Sequence, residues 1–146
     1  MTRAQFANWI SRAYGLDGSG LTLPFKDVAA GSAGYNGVAA AYEAGIITGK
    51  SASAFDPGAT ISRQEIATML ARALTLYNGA KTVADPGAVN AAYTDGGKIA
   101  KWAAAGVALA NRTDLFKGFE DGTFRPAQTA TKAEAAALIY RLYQLK

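Results

Sequence analysis

A four-residue pattern occurs three times in this chain and fixes most of what the chain can fold into. It reads Thr2-Arg3-Ala4-Gln5, then Ser62-Arg63-Gln64-Glu65, then Thr131-Lys132-Ala133-Glu134. Each copy sets a hydroxyl three residues before a Glu or Gln. That is the spacing of a capping box, in which two orphan N–H groups at a helix start are satisfied reciprocally. The apolar run behind each box repeats as well. Phe6, Ile66 and Ala135 stand four residues past the hydroxyl, and Ile10, Leu70 and Ile139 stand eight past it. Those offsets share one helical face, so the pattern predicts three equivalent amphipathic helices. Arg12, Arg72 and Arg141, ten past the hydroxyl, fall near the helix C-terminal ends, where a cation suits the dipole.

The anomaly is the second residue of each box. A cation at the first helical position opposes the helix dipole. Arg3, Arg63 and Lys132 therefore mark places where something negative could sit. Exposed helix N-terminal N–H groups beside a guanidinium form a receptor for a carboxylate or phosphate. The competing account is that each cation stays solvated or pairs with a neighbouring acid.

The segments between the boxes also repeat. Residues 2–15 read as a helix ending at Gly15, followed by a loop over 16–24. Phe25-Lys26-Asp27-Val28 is a short apolar anchor, and Tyr35, Val38 and Tyr42 form the apolar face of a short helix that stops at Gly45. Gly45-Ile46-Ile47-Thr48-Gly49 and Phe55-Asp56-Pro57-Gly58 lead to the second box, whose helix runs to about Tyr77, before the turn Asn78-Gly79. A connector over 81–89 is centred on Asp85-Pro86-Gly87. Then Tyr93-Thr94-Asp95 stands for Phe25-Lys26-Asp27, and a helix over 98–105 carries Trp102 and stops at Gly106. Gly118 matches Gly49, and Phe124-Arg125-Pro126 matches Phe55-Asp56-Pro57. The period is about 60–70 residues. On this alignment the last copy has a shortened front loop and an enlarged loop over 109–117.

The chain therefore divides into the tail of a first repeat (1–20), a second repeat (21–79), a connector (80–86) and a third repeat (87–146), all within one domain. No stretch alternates at period two, which predicts an all-α fold. Three matching helices predict a pseudo-threefold bundle of central helices, with each short helix and its loops outside as a lobe.

The chain has 146 residues, half of them hydrophobic, enough for one ordinary core. Its net charge of +4 is dispersed, with no run of Lys or Arg to suggest nucleic acid. It has no Cys and no His, which removes thiol nucleophiles, Ser-His triads and the usual zinc sites. Glu43, Asp56, Glu65 and Glu120 are acids, but no spacing selects a glycosidase pair among them. Asp121-Gly122 lacks the alternating acids of a calcium loop. No enzyme activity, cofactor or metal is expected. No apolar run approaches the roughly 20 residues of a membrane helix. Met1 leads straight into a capping box, so an export signal would belong to a part outside this stretch.

Aromatic-x-Asp, Gly-Ile-Ile-x-Gly, Phe-x-Pro and Ile-Ser-Arg-Gln-Glu before an Ala/Leu-rich helix together resemble the S-layer homology domain. Phe25 to Leu74 carries the full pattern, and Phe119-Glu120-Asp121-Gly122-Thr123-Phe124-Arg125-Pro126 carries it again. The resemblance implies a secreted, non-covalent anchor at the bacterial cell surface, within the cell wall and S-layer. Its implied ligand is an anionic secondary cell-wall polysaccharide bearing a pyruvate ketal, held in grooves between lobes. It implies ligand-binding roles for Arg3, Arg63 and Lys132, for Asp27 and Asp95, and for Gly45, Gly49, Gly106 and Gly118. Tyr35 or Trp102 could offer a sugar an apolar face. Two departures stand out: Lys132 replaces Arg and loses bidentate geometry, and the lobe ahead of Thr2 is missing, cropped or supplied by a second chain. At most two grooves are expected to be competent, the one around Arg63 foremost. The plainer accounts make Asp27 and Asp95 helix caps, Glu65 and Glu134 capping-box acids, and Phe55 and Phe124 core plugs. The alternative functions are a protein–protein self-assembly module of a surface layer and a binder of anionic polymers in general.

Overall fold

The three boxes start three helices. In the computed structural model, which describes residues 1–145, these are α1 (Arg3–Ala13), α3 (Arg63–Tyr77) and α6 (Lys132–Gln144). The hydroxyls of Thr2, Ser62 and Thr131 accept from the N–H of Gln5, Glu65 and Glu134, whose side chains return to the cap N–H. Between them lie α2 (Tyr35–Glu43), α4 (Pro86–Asn90) and α5 (Ala104–Arg112), the last preceded by 3₁₀ turns at Gly96–Lys98 and Lys101–Ala103. The fold is all-α, and the described residues contain no strand. Two isolated antiparallel bridges, Thr2–Thr60 and Ser62–Thr129, join loops to helix caps.

Those bridges belong to a step that the molecule takes twice. α2 of the second repeat packs on α1 of the first, and α5 of the third packs on α3 of the second. The N–H groups of Arg3 and Ala4 donate to the carbonyls of Ala59 and Pro57 at 2.9 and 3.1 Å. The N–H groups of Arg63 and Gln64 donate to Gln128 and Pro126 at 2.9 and 3.0 Å. Each plugged helix start is thus held by the loop of the following repeat. α6 packs against α1. Phe6, Ile10, Ile66, Leu70 and Leu142 fill the centre, with Phe55 and Phe124 fully buried where the lobes meet it. Burying a side chain of that size contributes about 1.5–3 kcal/mol, more than a surface ion pair, so apolar packing carries the assembly.

The third repeat differs from its expected form. The helix over 98–105 is replaced by the two 3₁₀ turns and α5, and Gly106 lies inside α5 instead of ending a helix. Its counterpart is Gly37. A Cβ on Gly37 would sit 2.0 Å from Asn8 Oδ1, and one on Gly106 would sit 2.7 Å from Thr68 Cα. Asn8 and Thr68 both stand six residues past their caps, so both glycines mark the same helix crossing. The counterpart of Gly45 is Asp114. Both have left-handed backbone, with φ of 80° and 56°, and both end a helix four residues before Gly49 or Gly118. There is therefore no enlarged loop over 109–117; Val107, Ala108, Leu109 and Ala110 are buried helix. The connector also holds a helix. Asp85 caps α4 by accepting from Ala88 N–H at 3.0 Å, with Pro86 at its first position. The Asn90 amide of α4 donates to Ala104 O at 2.9 Å.

Candidate functional site: a charged groove on the second central helix

The two arginines at the box positions are not held open for a ligand at the helix ends. The first two N–H groups of α1 and α3 are spent on loop carbonyls and the third on the cap hydroxyl. Arg3 and Arg63 are buried, with 4% and 3% of their surface exposed. Arg3 lies over the Phe55 ring at 4.6 Å, its Nε donates to Phe55 O at 2.9 Å, and its Nη1 pairs with Glu65 Oε1 at 2.5 Å. Arg63 donates from Nε to Phe124 O at 2.7 Å and from Nη2 to Lys117 O at 3.2 Å, and pairs through Nη1 with Glu134 Oε1 at 3.3 Å. The rings of Phe116 and Phe119 stand 4.4 Å from it and that of Phe124 5.0 Å. Each arginine therefore enters the next repeat's lobe and pairs with the next capping-box acid. The neighbouring-acid account describes both. Lys132 lies exposed on α6.

One groove of this assembly combines charge with enclosure. A cavity of about 350 Å³ has Glu65, Thr68, Met69 and Arg72 of α3 as its floor. Thr48, Gly49 and Lys50 of the second repeat and Arg3 line one side, and Trp102 of the third repeat lines it as well. Its charged lining is three cations and one acid. Lys50 Nζ reaches Glu65 Oε1 at 2.6 Å from a half-exposed position. Glu65 is buried, which pushes its carboxyl up, but the Lys50 and Ser62 hydrogen bonds and the Arg3 charge outweigh this and hold it below its ordinary value. Glu65 is thus an anion that keeps two cations at the groove. Arg72 Nη1 donates to Ile46 O at 3.4 Å, tying the helix to its own repeat's lobe. Burial pulls its guanidinium down from its ordinary value, but an arginine at this depth stays charged.

The remaining candidates fall in several places. Gly49 lines the cavity, and a Cβ there would meet Ser51 O at 2.3 Å and Phe25 Cε1 at 2.5 Å. Gly118 packs in the same way against Thr123 O and Tyr93 Cε1, at 2.5 and 2.7 Å, but lies in the third repeat outside this cavity. Gly45 and Gly106 line an adjoining cavity. Asp27 and Asp95 neither cap a following helix nor line either cavity. Asp27 accepts from the N–H groups of Phe55 and Asp56 at 2.9 and 2.8 Å, and Asp95 from those of Phe124 and Arg125, both at 2.8 Å. These clasps hold Asp56 and Arg125 in left-handed backbone, with φ of 61° and 57°. The Phe55 N–H bond is the main cause that keeps the Asp27 carboxyl below its ordinary value. Tyr35 is spent on the 16–24 loop, donating to Leu21 O at 3.1 Å and accepting from Leu23 N–H at 3.2 Å. Asp121 is occupied by Thr123 and Arg125, and the described residues hold no cluster of metal-ligating side chains.

The charged cavity gathers Arg3 and Arg72, and Arg63, around which a groove was expected, does not line it. Sequence reasoning had placed Arg72 only at a helix C-terminus and had passed over Lys50 and Thr68. The signal for Arg72 was the repeated arginine ten residues past each cap. Lys50 has no such signal, because only the folded loop brings it to α3.

A helical repeat docked by the same step twice, with a charged groove between lobes, defines a repeat-built binding module. Comparison with known families is specific: the profile of the S-layer homology domain matches residues 24–67 and 92–136, and the chain belongs to that family. An endoglucanase of Bacillus sp. (strain KSM-635) is 34% identical over 142 residues, covering 97% of this chain and 15% of its own length. An amylopullulanase of Thermoanaerobacterium thermosulfurigenes is 34% identical over 99% of the chain and 8% of its own length. A surface layer protein of Brevibacillus choshinensis is 36% identical over 66% of the chain and 8% of its own length. The chain therefore spans a small fraction of these relatives, and the enzyme names among them describe proteins far longer than the matched stretch. The S-layer homology domain is a non-catalytic anchoring module, and the chain is a cell-wall-associated anchor at the cell surface. No helix among the described residues is long and apolar enough to cross a membrane.

Proposed function

We propose that the domain anchors its parent protein by holding an anionic, pyruvate-ketal-bearing wall polysaccharide in the groove on α3. The observation that carries this reading is the lining of the groove, in which Arg3, Lys50 and Arg72 face a single acid, Glu65. A carboxylate entering the groove meets one fixed guanidinium, one flexible ammonium and a second guanidinium. Charge-assisted bonds of this kind are about twice as strong as neutral ones. Trp102, 58% exposed, offers an aromatic face to the apolar side of a sugar ring. Lys50 exchanges part of its contact with Glu65 for the incoming carboxylate, while Arg3 stays in its cage.

Calorimetry with purified pyruvylated wall glycan tests this. Lys50→Met with Arg72→Ala is expected to weaken binding by at least about tenfold, or 1.4 kcal/mol. The Lys50 pair is half-exposed and worth little to stability, so Lys50→Met reads binding more than folding. Depyruvylated glycan is expected to bind the wild type no better than the variant binds intact glycan. Unchanged binding by the double variant would sink the proposal. A second reading, self-assembly of a surface layer, draws on Tyr140 and Tyr143, which lie 63% and 61% exposed on α6. A stable dimer in light scattering without glycan affinity would select it.

A further inference from the structure

The C-terminal ends of the three central helices meet at one side chain, away from the charged groove's floor. Tyr14, Asn78 and Leu145 are the C-cap residues of α1, α3 and α6. The Tyr14 hydroxyl donates to Asn78 Oδ1 at 2.6 Å, and Asn78 Nδ2 donates to Leu145 O at 2.7 Å. A carbonyl only accepts, so the Leu145 bond fixes which way the amide points. Asn78 thus ties all three helix ends through a single amide. The residue after it is Gly79, exposed and left-handed at φ 67°, with nothing within 4 Å of the place a Cβ would take. The Gly79 N–H has no acceptor among the described residues.

From this juxtaposition we infer that Asn78–Gly79 is a self-modification site, at which the Gly79 nitrogen displaces ammonia from the Asn78 side chain and water completes the conversion to aspartate or isoaspartate. The Gly79 N–H gives its proton to solvent base, and the nitrogen bonds to Asn78 Cγ. The Cγ–Nδ2 bond then breaks, and Nδ2 leaves as ammonia with a proton taken from solvent. The cyclic imide takes up one water: cleavage of the new Cγ–N bond gives aspartate, and cleavage of the Asn78 backbone C–N bond gives isoaspartate. Negative charge develops on Oδ1 during the attack, where the Tyr14 hydroxyl already points. Burial, with Tyr77 adding to it, pushes the Tyr14 hydroxyl up to about 12, so it stays a donor in mildly alkaline water. The attack needs the Asn78 backbone to leave its ψ of 1°, and Gly79 packs on nothing that would hold it there. The Leu145 bond must let go too, and Leu145 is 47% exposed at a helix end, where opening is easiest.

The other Asn-Gly pair, Asn36–Gly37, also follows a tyrosine and is held shut. Asn36 is exposed, but Gly37 lies within α2 where it crosses α1. A Cβ on Gly37 would collide with Asn8, and Ser11 Oγ donates to Gly37 O at 2.8 Å. The same backbone swing there would pry α2 from α1. At 78 the product unties the helix ends. Aspartate keeps an acceptor for Tyr14 but has no donor for Leu145 O, and its charge lies where three helix C-termini converge, the end that disfavours an anion.

The test incubates the whole chain at mildly alkaline pH and follows tryptic peptides 73–81 and 27–50 by mass spectrometry, with an isoaspartyl methyltransferase assay on each. In urea the two pairs are expected to react at nearly the same rate. In the folded chain Asn78 is expected to hold or exceed that rate, while Asn36 slows by at least about tenfold because its reaction waits for local opening. Tyr14→Phe is expected to slow Asn78 several-fold and leave Asn36 unchanged. Asn78→Asp, the product made directly, is expected to lower the thermal midpoint by about 2–4 °C. The midpoint of each variant also reports that it is folded. Folding that slows Asn78 as much as Asn36 overturns the site. A Tyr14→Phe chain that reacts as fast as the wild type, or faster, overturns the part given to Tyr14 and makes its hydroxyl a restraint on the amide. An unchanged midpoint in Asn78→Asp overturns the tie.

Discussion

Asp95 reaches 29 residues forward in the chain to hold two successive backbone N–H groups, and Asp27 does the same across 28. Both clasps fix a non-glycine residue in left-handed backbone, a conformation that costs roughly 1–2 kcal/mol and needs such support. An asparagine at 95 keeps the shape but offers one carbonyl, so its amide nitrogen would face an N–H group. Asp95→Asn is expected to cost about 1–2 kcal/mol, read as a fall in the urea midpoint at pH 7, with glycan affinity of the folded protein unchanged. Affinity that falls with stability intact would return Asp95 to the ligand. Asp27 adds a pH signature. Its folded carboxyl lies below its ordinary value, so its contribution is fully present above the ordinary carboxylate range. That contribution is lost as pH falls through the lower folded value, and Asp27→Asn should flatten this limb of the stability curve. The near-equal spacing from each acid to its Phe-x-Pro, 28 and 29 residues, was legible in the sequence. The bonding partners were not, because backbone donors carry no residue signature.

The starts of α1, α3 and α6 follow from their capping boxes, and the end of α2 from the left-handed Gly45. α5 was misread because two residues break the usual rules together. Gly106 sits inside the helix, where glycine is normally unfavourable, and Asp114 takes the left-handed position where glycine is expected. The close approach to Thr68 explains the first. Gly106→Ala separates propensity from packing. Alanine gains about 1 kcal/mol of helix propensity, but its Cβ would stand 2.7 Å from a backbone atom of α3 that cannot swing aside. Overpacking of this kind costs about 1–3 kcal/mol, so the net change should be destabilising, with a lower urea midpoint and an unchanged slope. Trp102, two residues ahead of α5, and Thr68, which Gly106 meets, both line the groove, so the same variant should also bind glycan more weakly. A stabilised Gly106→Ala would mean that the crossing has room to relax.

For the whole molecule, the unit of packing is offset from the unit of sequence. α2 and α5 pack on the central helix of the repeat before their own, and Arg63 enters the third repeat's aromatic cage from the second. Sequence comparison finds the period but not this offset, because each central helix presents the same apolar pattern to whichever lobe covers it. The step is taken twice, and α6 packs against α1. Stability follows from the offset. A fragment of residues 80–146 keeps its sequence repeat and loses α3, the surface on which α5 lies, along with the cation its three phenylalanines surround. The burial that would offset its ordering entropy is then missing. That fragment is expected to show no cooperative thermal transition by circular dichroism, while the whole chain unfolds in one transition with matching calorimetric and van't Hoff enthalpies. Two resolved transitions in the whole chain, or a cooperatively folded fragment, would show that each repeat is its own folding unit and that the contacts between repeats serve the groove alone.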